Sequence, residues 1–150
     1  WYSAKDVTMK QPYILHRAPL SIHERMISFL IEFWGGAFPT WMAPNQVMLI
    51  PVNEGVVDYA MEMKQKMTEL GIRCDIDVSD DSFNKKIRKA VTKKTPNMWI
   101  IGENEKAEGT ITWRRYCVQD QIKMSADAAI DKIVHLRTNR IMDNFADVQI

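Results

Sequence analysis

Ile22, Met26, Phe29, Leu30 and Phe33 recur at spacings of three and four residues, which gathers them on one face of a helix. Gly35-Gly36 supplies its stop. Ser21, with Glu24 three residues later, has the form of a capping box: the hydroxyl accepts from a first-turn amide and the carboxylate reaches back. Tyr13-Ile14-Leu15 after Pro12 is long enough for one strand, and residues 1–10 show no period and read as a lead-in loop. A different regime begins at Gln46. Gln46 to Val52 is nearly continuously apolar, the pattern of a central strand buried on both faces. Val56, Ala60, Met63, Met67 and Leu70 predict an amphipathic helix stopped by Gly71. Ile72, Cys74, Ile76 and Val78 alternate with Arg73, Asp75 and Asp77, a half-buried strand. Phe83, Ile87 and Val91 give the next helix a narrow seam, and Met98 to Ile101 is another buried strand. Gly109 to Cys117 alternates again, and Ser125 can cap a last helix carrying Ala129, Ile130, Ile133 and Val134. Beyond Arg140 the low pattern predicts a tail that frays or docks loosely.

Strands alternating with helices over about sixty residues imply βαβ crossovers. The expected fold is α/β, a mixed, mainly parallel sheet of about five strands covered by helices, with a short link between the third and fourth strands that allows an antiparallel edge. Phe38 to Pro44 is a proline-bracketed aromatic connector and marks a boundary. The expected organisation is residues 1–38 from a neighbouring unit, a linker at 39–43, a compact domain over 44–137 and a tail at 138–150. A strand and a helix in 1–38 cannot bury both of their apolar faces alone, and the chain begins Trp-Tyr-Ser; both suggest a piece of something longer.

With 46% hydrophobic and 26% charged residues in 150, the chain is neither a disordered tail, a collagen nor a disulfide miniprotein. Twenty Lys+Arg against nineteen Asp+Glu leave +1, so any basic surface must be local. Cys74 and Cys117 are far apart in no metal or redox spacing and read as reduced thiols of an intracellular protein. No apolar run approaches the roughly 18 residues of a membrane span, and no signal peptide is read, so a cytoplasmic protein, or alternatively a mitochondrial or other organellar one, with no membrane partner is expected.

There is no Gly-x-Ser-x-Gly elbow and no glycine-rich phosphate loop; Val52-Asn53-Glu54-Gly55 is too poor for the latter, which counts against a flavodoxin-like enzyme. His16, His23 and His135 lie at no metal-ligand spacing. From Asn84 to Lys94 the chain holds Lys85, Lys86, Arg88, Lys89, Lys93 and Lys94 without an acid. Such a helix can lie beside a phosphate backbone, or simply present a solvated face. Asp80 and Asp81 at its N-terminus suit the helix dipole. Arg114 shares a strand face with Thr110, Thr112 and Tyr116, and Trp113 shares the other with Ile111 and Cys117. The first face suits unstacked bases and equally an ordinary wet sheet face. Glu103, Glu105 and Glu108 fall in the loop just before; a carboxylate repels phosphate, so beside a nucleic acid it would read a base donor.

His16-Arg17-Ala18-Pro19-Leu20 followed by Glu24-Arg25 resembles the third signature motif of class II aminoacyl-tRNA synthetases in its threonyl form. Gly36 to Pro44 resembles that family's crossing into the anticodon-binding domain, and Gln46-Val47 with Ile50-Pro51-Val52 its first strand. Leu70-Gly71-Ile72-Arg73, Asp77, Asn84-Lys85-Lys86-Ile87-Arg88 and Gly102-Glu103-Asn104-Glu105 follow in the family's order, over residues 11–137. The resemblance implies that 1–38 holds the last strand and helix of a catalytic domain, and that the whole enzyme joins threonine to its tRNA through a threonyl-adenylate, with this part alone inactive. It implies that His16 helps hold a zinc ion that grips threonine, and that Arg25 contacts ATP. It implies that Lys94, Glu105 and Arg114 meet the anticodon bases, with Asp80 standing where an amide would bond a base, and that Lys85, Lys86, Arg88, Lys89 and Lys93 lie along the tRNA backbone. Zn2+ and Mg-ATP are then cofactors of the full-length enzyme and none is expected here; the partners are threonine tRNA, ATP, threonine and a second subunit joined through the missing catalytic domain. The chain departs from the family at Ser21-Ile22, where many members have a glycine and a hydroxyl residue, at Asp80, and at Lys94, which replaces an arginine and loses its bidentate fork. The alternative is a non-catalytic RNA-binding accessory protein reusing the same module, which would have no use for His16 and Arg25.

Overall fold

The computed structural model describes residues 2–3, 9–116 and 118–144, so expectations on Cys117, most of the lead-in and the tail past 144 lie outside the described residues. Two short strands, β1 (Tyr2–Ser3) and β2 (Met9–Lys10), pair antiparallel where only a loop was expected. The expected strand at Tyr13–Leu15 is absent: all three side chains stand in solvent, and no neighbouring strand satisfies that backbone. The capping box also fails to form. Ser21 takes φ 61° and its amide bonds the Ala18 carbonyl, so it makes a turn while Ile22 becomes the N-cap without a side-chain bond. Helix α1 (His23–Trp34) then runs to Gly35, whose left-handed φ of 56° stops it. The expected apolar stripe is present, and no residue of α1 is buried.

The main sheet has five strands: β3 (Val47–Pro51), β4 (Cys74–Ile76), β5 (Asn97–Ile101), β6 (Thr110–Arg115) and β7 (Gln121–Ser125), in the order β4-β3-β5-β6-β7. β4, β3 and β5 run parallel, and β6 and β7 continue antiparallel. The half-buried strand expected over 72–78 shortens to three residues, with Val78 exposed beyond it. β7 was not expected at all. The connections are a 3-10 turn (Glu54–Val56) leading into α2 (Val57–Glu69), then α3 (Phe83–Thr92), α4 (Glu103–Glu108) and α5 (Ala126–Thr138). Ser125 caps α5 as expected, its hydroxyl accepting from Ala128 N at 3.4 Å.

The two faces of the sheet are covered unequally. On one, Val47, Leu49, Trp99, Ile101, Ile111 and Trp113 pack under α2 and α5. On the other, Met48, Ile50, Met98 and Ile100 pack under Phe83, Ile87, Ala90 and Val91 of α3, and no residue of β6 or β7 joins that cluster. α3 therefore does not cover β6 and β7; α4 reaches β6 there through the Glu105–Thr112 bond, and Gln121 and Lys123 of β7 are exposed.

The edge of the domain is fixed by a buried polar network. Asp143 accepts from the amide and hydroxyl of Thr40. Asn97 Nδ2 donates to Thr40 Oγ1 at 2.7 Å and to the Gln46 carbonyl at 2.9 Å, while its Oδ1 accepts from Trp113 Nε1 at 3.0 Å. Arg115 donates to the Asp143 carbonyl, and Asn144 Nδ2 to the Ala37 carbonyl at 3.1 Å. Residues 141–144 are thus docked firmly, not loosely as the featureless pattern suggested, because the partners they need come from the connector about a hundred residues away.

Candidate nucleic-acid interface

Trp113 and Ile111 are drawn into the core, and the pleat turns Thr110, Thr112 and Arg114 to the opposite, open face. Cross-strand register adds β7: Arg114 stands opposite Gln121, and Thr112 opposite Lys123. The result is a polar strip over two strands with α3 along one side. Arg114 is half-buried, and its Nε is sealed from water with no hydrogen-bond partner among the described residues; Thr110 Oγ1 is in the same condition. Buried polar atoms without partners are rare because each costs about 1–3 kcal/mol.

Glu105 does not sit in a loop, as the sequence suggested, but in the first turn of α4. The helix carries no apolar period; it forms because the Glu105 side chain bonds back to the Gly102 amide and Gly109 ends it at φ 66°. A side chain at 102 would place its Cβ 2.8 Å from Glu105 Oε2, so the glycine leaves room for the carboxylate. Glu105 Oε2 accepts from Gly102 N at 3.0 Å, and Oε1 accepts from Thr112 Oγ1 at 3.1 Å. Burial pushes this carboxyl up, but its own amide, Thr112, Gly102 and the charge of Lys123 together hold it below the ordinary glutamate value. The face thereby carries a fixed, ionised acceptor with lone pairs left over, close to a strand offering a guanidinium. Lys123 Nζ pairs with Glu108 at 2.6 Å, which offsets the acidity of α4.

The basic helix is less free than its composition suggests. Lys86, expected on the tRNA backbone, is 7% exposed and donates to the Pro51 carbonyl at 3.3 Å. It falls on the stripe of Phe83, Ile87 and Ala90, so it is turned toward the sheet and its head is held on the Pro51 carbonyl. Lys85 and Lys89 both pair with Asp81, Lys85 at 2.6 Å. Bonds from these two lysines hold the Asp81 carboxyl far below the carboxylate range, and the same bond raises Lys89. Among the described residues, Arg88 and Lys93 are the exposed cations of this helix and its cap that carry no ion pair.

The structure does not gather all the expected base contacts. Lys94, at φ 53°, donates to the Gly35 carbonyl and so ties the end of α3 to the end of α1. It lies before the start of β5, whereas Glu105 follows its end, roughly 13 Å away along the strand. Asp80 is exposed at a crevice beyond the carboxyl ends of β3 and β4, lined also by Asn53, Ser79 and Lys86. Arg114, Thr112 and Glu105 are the residues actually brought together. Sequence reasoning missed Gln121 and Lys123; the signal was the alternation of Gln121, Lys123 and Ser125 with Ile122 and Met124.

His16 and Arg25 are exposed, one outside any helix or strand and the other on α1. No group of three or more His, Cys, Asp and Glu that could hold a metal occurs among the described residues, and one histidine cannot fill a tetrahedral zinc site. These residues alone do not fit zinc. No described helix is long and apolar enough to cross a membrane.

The family described as anticodon binding domain matches residues 46–136. Threonine–tRNA ligase of Exiguobacterium sp. is 38% identical over 139 residues, covering 93% of this chain and 22% of the relative. The ligase of Streptococcus gordonii is 40% identical over 134 residues, covering 89% and 21%. Among solved structures, the RNA binding domain of threonyl-tRNA synthetase from Cryptosporidium parvum superimposes with a TM-score of 0.72 at 30% identity, covering 75% of this chain and 28% of that one. The chain spans about a fifth of the length of the curated relatives it matches.

Proposed function

The chain belongs to the anticodon binding domain family, and on that premise we propose that it is the anticodon-reading part of a threonine–tRNA ligase, with the open face of β6 as the site that reads bases. The observation that carries this is the conjunction on one face of a half-buried Arg114 guanidinium and a bonded, ionised Glu105. Arginine supplies only donors and an ionised carboxylate only acceptors, so the two read complementary edges of unpaired bases. Arg88 and Lys93 flank that face as phosphate contacts; Lys85 and Lys89 contribute charge that is largely spent on Asp81. Lys94 and Asp80 act from the ends of the sheet.

In the whole enzyme, this part delivers its tRNA to a catalytic unit that ligates threonine with ATP through a threonyl-adenylate, as a cytoplasmic homodimer. Residues 1–38 belong to that unit, where His16 supplies one zinc ligand and Arg25 meets ATP. The 150 residues alone should give no ATP–pyrophosphate exchange.

The test is binding of the full chain to the anticodon stem-loop of threonine tRNA and to the same stem with a scrambled loop. The parent should prefer the cognate loop. Arg114→Ala should cost about 1–3 kcal/mol on the cognate loop only. Lys93→Ala should weaken both loops alike and lower the salt slope by about one. No preference in the parent would refute the reading.

A further inference from the structure

Resting on that reading, we propose that β7 is the second wall of the base site and that its Gln121 is a specificity-determining residue, sharing a single unpaired base with Arg114. Gln121 is the direct cross-strand partner of Arg114. Residues so paired in an antiparallel ladder project to the same face with their Cβ atoms roughly 5 Å apart. That face is the one α3 leaves open, and Gln121 stands exposed on it.

The chemistry of the pair explains why a second residue belongs there. A guanidinium offers donors alone, so by itself it selects acceptors and is indifferent to whatever lies beside them on a base. The Gln121 carboxamide offers two donors and one acceptor. Placed next to Arg114, it lets the site demand a base edge on which an acceptor is followed by a donor. Glu105 cannot supply this acceptor for the same base edge as directly: it is bonded to Thr112, one side-chain step along β6 from Arg114, and opposite Lys123 instead of Gln121. The strip therefore has two stations, Arg114 with Gln121 and Thr112 with Glu105 and Lys123, spaced roughly 7 Å apart as i and i+2 residues of one strand. Consecutive unstacked bases could each take one station.

The experiment measures binding of the full chain to the cognate and scrambled stem-loops, and to a cognate set in which each loop base is replaced in turn. Gln121→Leu keeps the size and removes the amide, both its donors and its acceptor. Gln121→Leu should weaken the cognate loop about three- to tenfold, the worth of one hydrogen bond, and leave the scrambled loop unchanged. Its loss should vanish against the loop whose replaced base is also the one sensed by Arg114→Ala, which shows that the two residues share a base. A Gln121→Leu protein that discriminates as the parent does, while Arg114→Ala does not, would overturn the role of Gln121 and spare the base-reading face. Equal losses on all loops would likewise overturn it, as would sensitivity to a different base from the one Arg114 senses. A parent with no preference among loops would overturn both. Thermal melting of Gln121→Leu, expected to match the parent because the residue is exposed at a sheet edge, guards against reading a folding defect as lost recognition.

Discussion

The two helices α1 and α3 carry equally plain apolar stripes, yet their fates differ. α3 lays Phe83, Ile87, Ala90 and Val91 onto Met48, Ile50, Met98 and Ile100 of the sheet. α1 leaves Phe29 57% and Phe33 66% exposed, with Phe29 stacked on Phe33. Periodicity specifies which face of a helix needs cover; it does not supply the cover. Burying apolar surface stabilises by about 25 cal/mol per Å², a gain α3 takes from the sheet and α1 does not take from anything described. Polar bonds tie the end of α1 to the domain: Lys94 donates to the Gly35 carbonyl and Asn144 to the Ala37 carbonyl.

The largest effect should come from the core. Trp99→Ala removes a fully buried ring that meets Trp113 edge-on, and should cost about 3–5 kcal/mol in chemical unfolding of the full chain. Next is Asp143→Ala. It strips acceptors from the buried Thr40 and should cost about 1–3 kcal/mol, although it lies in a segment with no apolar pattern. An unchanged midpoint would show that the connector is not locked to the sheet.

A smaller effect concerns pH. Glu105 titrates below the ordinary 4.5 when folded, so its ionised form contributes stability that is present above 4.5 and lost as pH falls through the folded value. Glu105→Gln should therefore flatten the acid side of the melting-temperature profile; a mutant profile parallel to the parent's would contradict the bonded carboxylate. Smallest of all, Phe33→Ala on α1 should change the unfolding free energy by no more than about 0.5 kcal/mol, against several for Trp99→Ala. A large loss there would mean that α1 is packed after all.

The sequence made the buried parts legible because burial constrains both hydrophobicity and period. β3 and β5 read as continuous apolar runs, and α2, α3 and α5 as stripes, since each faces a partner within the same chain. What escaped was decided by backbone angle or distant partners. Ser21 has the residue type of a cap but takes a left-handed φ. α4 is made by one carboxylate and two glycines with no hydrophobic signal. β7 has only Ile122 and Met124 to mark it, and Ile122 is itself exposed. In the candidate site, Arg114 and Glu105 were legible as residues, but not the Thr112 bond that fixes Glu105 or the register that adds Gln121. Lys86 misled because charge counting ignores which stripe of a helix a lysine occupies.

The proposed function puts RNA on the exposed face of β6 and β7, not on the bare stripe of α1 or the α2–α5 side. Titrating the isotope-labelled full chain with the anticodon stem-loop of threonine tRNA, and following its backbone and side-chain amide NMR signals, tests this directly. The signals of residues 103–115 and 121–125, with those of the exposed flank of α3, should move in proportion to bound RNA, while those of α1, α2 and α5 stay in place. Shifts concentrated on α1 or on the α2–α5 face, with 103–125 silent, would show that the RNA binds elsewhere.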